Sequence, residues 1–177
     1  MSSQYRHKKP SVRTSEVSGP GYDLMVVLHV LSAMIGFGAI GVTGTYAARA
    51  RAVADPRCEP QLRRYFREGT NWAERVLVLT PVLGAALLWG GDRSAVSQAW
   101  PWVGLGCWAL AAAVASARCW PAERRIQAWL AVEAGRGETD AAELGRFREA
   151  CRSLQWAASA IVLLFLIAVV VMVGQPR

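Results

Sequence analysis

Four stretches of the chain contain no Asp, Glu, Lys or Arg: Leu24–Ala48, Val76–Gly91, Ala99–Ala117 and Leu154–Gly174. They are 25, 16, 19 and 21 residues long, and all 20 basic and 13 acidic side chains lie outside them. A helix at the surface of a water-soluble protein needs a polar face, so its charges recur every turn or so. These stretches have no such face, and their lengths bracket the roughly 20 residues that cross a hydrocarbon core of about 30 Å. Within that core every N–H and C=O must be paired inside the protein, which leaves helices or a closed barrel. Barrel strands alternate in polarity, whereas "AIVLLFLIAVVVMVG" (160–174) is apolar on all sides. The reading is therefore an all-α, transmembrane four-helix bundle with spans at about 22–48, 72–91, 99–118 and 154–174. The second run reaches spanning length only by starting at Trp72, which puts Glu74 and Arg75 at the interface.

Tryptophan placement agrees with these ends. Trp72, Trp89, Trp100, Trp102, Trp120 and Trp156 sit near span termini, where indole buries its ring and keeps its N–H wet. Trp108 alone lies mid-span, and Trp129 falls in a loop.

Basic residues set the expected orientation. Seven arginines lie between spans one and two and seven between spans three and four, against six basic residues on the other side. Positive charge stays in the cytoplasm, so both long loops are expected inside the plasma (inner) membrane and both termini outside. The tail sequence "YRHKKPSVR" (5–13) argues the other way, but it is short and faces a more basic loop. A signal peptide is the competing reading of the first span, whose apolar run is about twice a usual signal core. Residues 1–21, rich in Ser, Pro, Gly and charge, read as a disordered tail, and 22–177 as the membrane domain. The net charge of +7, with no nucleic-acid motif, speaks for orientation and anionic headgroup contact rather than nucleic-acid binding. The four cysteines form no CxxC pair and read as small apolar fillers. A metal site would need Cys58, Cys119 and Cys151 to converge.

The loops carry helices of their own. After Trp120, Pro121 suits a first helical position, and Ile126, Trp129 and Leu130 share one apolar face. The preferred reading is an interfacial helix that sinks Trp129 into the headgroups, over a partner-docking platform. Asp140 and Glu143 make a D-x-x-E start for a helix expected to run unbroken into the fourth span, and Asn71 and Glu74 make a similar N-x-x-E start for the second. No nucleotide loop, metalloprotease motif or nucleophile elbow is present.

The first span holds the one histidine within the apolar runs, His29. Tyr22, Met25, His29, Ser32, Gly36, Ala39 and Thr43 recur at alternating spacings of 3 and 4, a single helix-packing seam. From Ser32 onward the seam is small, which lets another backbone approach. Thr80, Pro81, Gly84 and Ala85 offer a matching surface on the second span, with a kink at Pro81. His29 thus faces the protein interior, about 10 Å below the outer surface at roughly 1.5 Å per residue. An intramembrane ionisable group is a functional candidate by default. Three roles are open, in order of preference. His29 fixes packing through a hydrogen bond; or it ligates haem iron or copper with Met25 or Met172 at similar depth; or it relays protons.

"YDLMVVLHVLSAMIGFGAIGVTGTYAARAR" (22–51) resembles the first span of a bacterial family of small four-span membrane proteins, common in actinobacteria, defined by a domain of unknown function. The closing "VVVMVGQP" (169–176) is similar to that family's end, so the resemblance covers about 22–176. The L-H start is more distantly similar to copper-resistance D proteins and haem-dependent J-type protoporphyrinogen oxidases, in which a first-span histidine binds haem. That implies His29 as the corresponding ligand. The W-x-G-G that follows the histidine there, and a second span histidine, are absent here. The sequence thus points to an integral membrane protein without an enzymatic motif, either a structural or accessory component of a membrane complex or a b-type haem or copper protein using His29. Its expected partners are the lipid bilayer and other membrane subunits or a second copy of itself, with no nucleic acid.

Overall fold

The computed structural model describes residues 19–91, 93–131 and 140–174. The tail read as disordered over 1–21 lies outside these residues except for its last three. Among the described residues there is no strand, and four helices are long and apolar enough to cross a membrane: Pro20–Ala52, Trp72–Gly90, Ala99–Ala131 and Ala141–Gly174. The chain is an all-α, multi-pass membrane bundle.

Helix α1 (Pro20–Ala52) starts at a proline, whose missing N–H costs nothing in a first turn, with Asp23 facing the positive end of the helix. After a 3-10 turn at Pro56–Cys58 and a short helix α2 (Pro60–Tyr65), the second span opens as α3 (Trp72–Arg75) and continues as α4 (Leu79–Gly90). A 3-10 turn at Val76–Val78 joins these two pieces. Helix α5 (Ala99–Val114) runs through a π-helical turn at Ala115–Cys119 into α6 (Trp120–Ala131). Helix α7 (Ala141–Gly174) is one unbroken helix of 34 residues.

α7 is the centre of the bundle, packed on α1 along one side and α5 along another, while α4 packs on α1 alone; α4 and α5 make at most a glancing contact. α1 presents two adjacent faces. Phe37, Gly41 and Gly44 meet α7, where Phe37 stacks on Phe165 at 4.6 Å and a Cβ at Gly44 would collide with Ala158. Ser32, Gly36 and Thr43 meet the second span and are buried. Gly36 sits so close that an added Cβ would lie 2.7 Å from the Leu77 backbone N.

At the end bearing the two long connections, the helices extend beyond the apolar runs and knit together. Arg57, 7% exposed, lies over the Trp129 ring at 4.1 Å and reaches Glu143 at 3.6 Å. Trp129 stacks on Phe147 at 4.1 Å, and Tyr46 stacks on Tyr65 at 3.9 Å. Trp129 is therefore packed between a guanidinium and a phenyl ring, not sunk into headgroups. α6 is the continuation of the third span rather than a separate interfacial helix. Pro121 falls inside this continuous helix, not at its first position, and its missing N–H directly follows the π turn, a usual site of such an irregularity. Asp140 caps α7 as expected, accepting from the Ala142 N–H at 3.0 Å. Glu143 is drawn to Arg57 instead of closing the box. Asn71 does not cap α3 either: its amide donates to Glu74 at 3.1 Å. Trp72, Trp89, Trp102 and Trp156 stay 59–83% exposed at the span ends, as an aromatic belt requires.

Candidate functional site

Two mid-span irregularities answer each other. Pro81 has no N–H to give to the carbonyl four residues back, which is that of Leu77. Trp108 is the indole in the middle of α5, and its Nε1–H donates to that same Leu77 carbonyl at 3.0 Å. A buried carbonyl and a buried indole N–H would each cost about 1–3 kcal/mol unpaired. Together they tie the bent second span to α5 at one point, across helices that otherwise stand apart.

The seam of α1 faces this bend. His29 Nδ1 lies 2.9 Å from the Thr80 carbonyl oxygen. A carbonyl only accepts, so Nδ1 carries a proton, and in the neutral form of the ring Nε2 is a bare acceptor. The hydroxyls follow by proton accounting. Ser32 donates to the His29 carbonyl at 2.8 Å, so at the 3.3 Å contact between Ser32 and Thr80 the threonine is the donor. Gly84 leaves room for the imidazole: a Cβ there would lie 3.1 Å from His29 Cε1.

Because α4 and α5 do not close on each other, a cavity of about 300 Å³ opens between them, bounded by His29, α4, α5 and Met172 of α7. It is at the low end of the range for small-molecule sites. Thr80, Pro81, Gly84 and Leu88 form one wall; Trp100, Trp102, Gly104 and Trp108 form the other. The lining is almost wholly apolar. Its indole N–H groups are already spent: Trp100 on Gln98, Trp102 on the Val96 carbonyl, Trp108 on Leu77. The tryptophans thus offer ring faces. His29 Nε2 has no partner among the described residues, and it is the polar group left to meet a ligand.

The residues singled out in the sequence are distributed as follows. His29, Pro81, Gly84 and Met172 border the cavity. Met172 lies against Gly104, where its methyl fills the place a Cβ would take. Met25, half-buried, does not border it. Ser32 buttresses His29 from behind. Gly36, Ala39 and Thr43 lie further along α1 toward the connection end, where the Thr43 hydroxyl lies 3.0 Å from the Ala39 carbonyl. The four cysteines are free thiols, and among the described residues no group of three or more His, Cys, Asp or Glu side chains could hold a metal ion.

A second polar cluster was read from the sequence only as an interface. Glu74 is 2% exposed and accepts hydrogen bonds from Thr43 and from Asn71, while Tyr65 O–H lies 2.7 Å from the Thr43 hydroxyl. The signal was present in the N-x-x-E start, but the partners come from α1 and α2. Among the described residues no hydrogen bond links this cluster to His29; Phe37, Ile40 and Leu77 fill the bundle between them. No protein-family model, curated protein or solved structure matches the chain.

Proposed function

We propose that this is an accessory protein of the inner (plasma) membrane, both termini outside and the basic connections cytoplasmic, that holds a small lipid-soluble molecule bearing a hydroxyl. The ligand enters from the bilayer between α4 and α5, lays its apolar body against the tryptophan faces and donates its hydroxyl proton to His29. The observation that carries this reading is the bare Nε2: a single unspent acceptor on a ring that borders an apolar cavity. Such a site selects a donor, because a buried acceptor left unmatched penalises an analogue that cannot supply one. The backbone bond from Nδ1 fixes the ring's tautomer.

The test uses purified protein in lipid nanodiscs and a bromine-labelled long-chain alcohol that quenches indole fluorescence. Saturable quenching is expected for the wild type. Gly84→Leu, which fills the cavity, should abolish the saturable part. His29→Phe, or the methyl ether of the same alcohol, should weaken binding by about tenfold, one hydrogen bond's worth in a dry site. Equal binding of alcohol and ether would refute the donor selection, and non-saturable quenching would refute the site.

One observation favours a second reading. His29 and Met172 border the same cavity, and a backbone carbonyl on Nδ1–H is the usual outer support for a metal-ligating histidine. The resemblance of the first span to haem-binding proteins points to the same ring. On this reading His29 and Met172 would be the residues that hold haem b, or a nitrogen–sulfur pair for copper. A Soret band, or bound copper, in the purified protein that disappears in both His29→Ala and Met172→Ala would favour it over the alcohol site.

A further inference from the structure

At the connection end, most charged groups that serve the fold are visibly engaged: Arg57 over Trp129, Arg75 over Trp120 at 3.5 Å, and Arg49 on Glu59 at 3.5 Å. Six arginines are arranged differently. They line two grooves, each of about 570 Å³, that flank the first turns of α7. The first groove, between α1 and α7, holds Arg51, Arg148 and Arg152. The second, between the α5–α6 junction and α7, holds Arg118, Arg125 and Arg146. One carboxylate, Glu149, borders both, and it sits 3.5 Å from Arg152. Arg51 donates to the Gln155 side-chain carbonyl at 2.8 Å. Arg118, Arg125, Arg146 and Arg148 have no ion pair among the described residues. All six are exposed.

Their height is as informative as their charge. Arg51, Arg118 and Arg152 stand within three residues of the ends of the charge-free runs at Ala48, Ala117 and Leu154. The 71% exposed Trp156, one turn above Arg152, marks the boundary. In each groove the arginines nearest the membrane, Arg51 and Arg152 in the first and Arg118 in the second, stand at headgroup depth, and the three guanidiniums that line each groove, in excess over acid, match the phosphate of an anionic lipid. Above each groove the apolar surfaces of the spans continue toward the bilayer centre, where acyl chains run.

We propose that each groove seats the phosphate of one anionic glycerophospholipid, giving two bound lipids per chain. Gln155 in the first groove and Ser153 in the second stand beside the guanidiniums as neutral polar groups for the glycerol backbone. These sites are independent of what occupies the His29 cavity.

The experiment is native mass spectrometry of the full chain released from nanodiscs containing phosphatidylglycerol or phosphatidylcholine with the same acyl chains. Two retained phosphatidylglycerols are expected, and no retained phosphatidylcholine. Arg148→Gln with Arg152→Gln should remove one lipid. Arg125→Gln with Arg146→Gln should remove the other, and the four together should remove both. Each pair should weaken its site roughly thirtyfold, about fivefold for each guanidinium near a membrane surface. Arg63→Gln with Arg64→Gln, an exposed pair outside both grooves, should retain two, and unchanged far-ultraviolet helicity shows that each variant is folded. Equal retention of the two lipids, or two lipids still held by the fourfold variant, overturns the proposal. Displacement of the lipid by millimolar inorganic phosphate also overturns it, making the grooves general phosphate seats rather than lipid sites.

Discussion

Replacing Gly36 by alanine tests how the cavity is positioned, because this glycine sets the distance between α1 and the second span. The new Cβ would lie 2.7 Å from Leu77 N and 2.8 Å from Leu77 Cα, about 0.7 Å short of the 3.4 Å at which ordinary contact begins. Both obstructing atoms are backbone, so no side chain can rotate away and the two helices must separate. Overpacking of this kind costs about 1–3 kcal/mol. Gly38 is the internal control, since it lies two residues along the same helix and an added Cβ meets nothing within 4 Å. Both substitutions gain the same helix propensity, about 0.5–1 kcal/mol, so the difference between the variants isolates the steric term. Gly36→Ala should therefore be less stable than Gly38→Ala by roughly 1–3 kcal/mol in unfolding followed by far-ultraviolet circular dichroism in mixed micelles. A separation of about 0.7 Å would also stretch the 2.9 Å bond from His29 to the Thr80 carbonyl past the roughly 3.5 Å limit of a hydrogen bond. The alcohol affinity should fall with stability. Equal stability of the two alanine variants would refute the close approach of α1 to Leu77 and with it the argument for how the histidine is held.

Trp108→Phe removes the indole donor and leaves the Leu77 carbonyl beside Pro81 only the Leu79 N–H, which should cost about 1 kcal/mol in the same unfolding assay; a neutral result would refute the indole as a tie between the two spans. Glu74→Ala strands the Asn71 amide and leaves the Thr43 hydroxyl only the Ala39 carbonyl, whereas Glu74→Gln keeps an acceptor, so the alanine variant should be the less stable by roughly 1 kcal/mol. Cys58 is exposed, and the Asp55 carboxylate that accepts its S–H at 3.1 Å, aided by its negative charge, raises the thiol pKa above 9.0. The reactive thiolate is thus scarcer at a given pH, and Asp55→Asn should speed alkylation at pH 8. On the proposed orientation, a membrane-impermeant maleimide should label Cys58 in inverted vesicles and not in intact cells; labelling in intact cells would reverse that orientation.

What could be read from the chain is what repeats along it. Absence of charge over a whole span marks a lipid-facing helix without knowledge of any neighbour, and the 3,4 spacing from His29 to Thr43 marks a packed seam whatever packs on it. The long α7 was visible because nothing after Gly145 interrupts it. The cavity was not visible, because it arises from two helices that fail to meet. Pro81 and Trp108 were each noticeable as misfits, a missing donor in one span and a surplus donor in the next. Which carbonyl the indole would reach depends on how α7 spaces α5 from α1. Trp129 was misplaced in the headgroups, and the burial of Glu74 was missed, for the same reason. A tryptophan or a glutamate near a span end is ordinarily solvated there, and only Arg57, Phe147, Thr43 and Tyr65, all distant in sequence, draw these two inward.

The distribution of contacts along the second span determines how the cavity admits a ligand. Its connection end is fixed to α1 twice, by the Glu74 carboxylate on Thr43 and by the backbone of Leu77 against Gly36. At the bend it is held by the Thr80 carbonyl on His29 and the Leu77 carbonyl on Trp108. Beyond Pro81 the described hydrogen bonds to other helices cease, and α4 is held by its packing on α1, with Gly84 against His29 and Gly91 beside Tyr22. The helix is also weakest at that point, since the 3-10 turn and the proline interrupt its own ladder. A motion of the segment from Val82 to Gly90 that opens the cavity would thus slide along its α1 face, pivoting near Pro81, while the other half stays fixed. Such a motion widens the slot between α4 and α5 and leaves α1 and α7, which carry the first arginine groove, in place. Two sites can influence each other only through an element whose arrangement both bias; α1 and α7 border both the cavity and the first groove, but the opening falls to α4, which borders neither groove. Saturating the grooves with phosphatidylglycerol should accordingly change the affinity of the cavity for the alcohol by less than about twofold. A larger change would mean that α7 itself shifts when the cavity fills, and that the bend at Pro81 is not where the bundle opens.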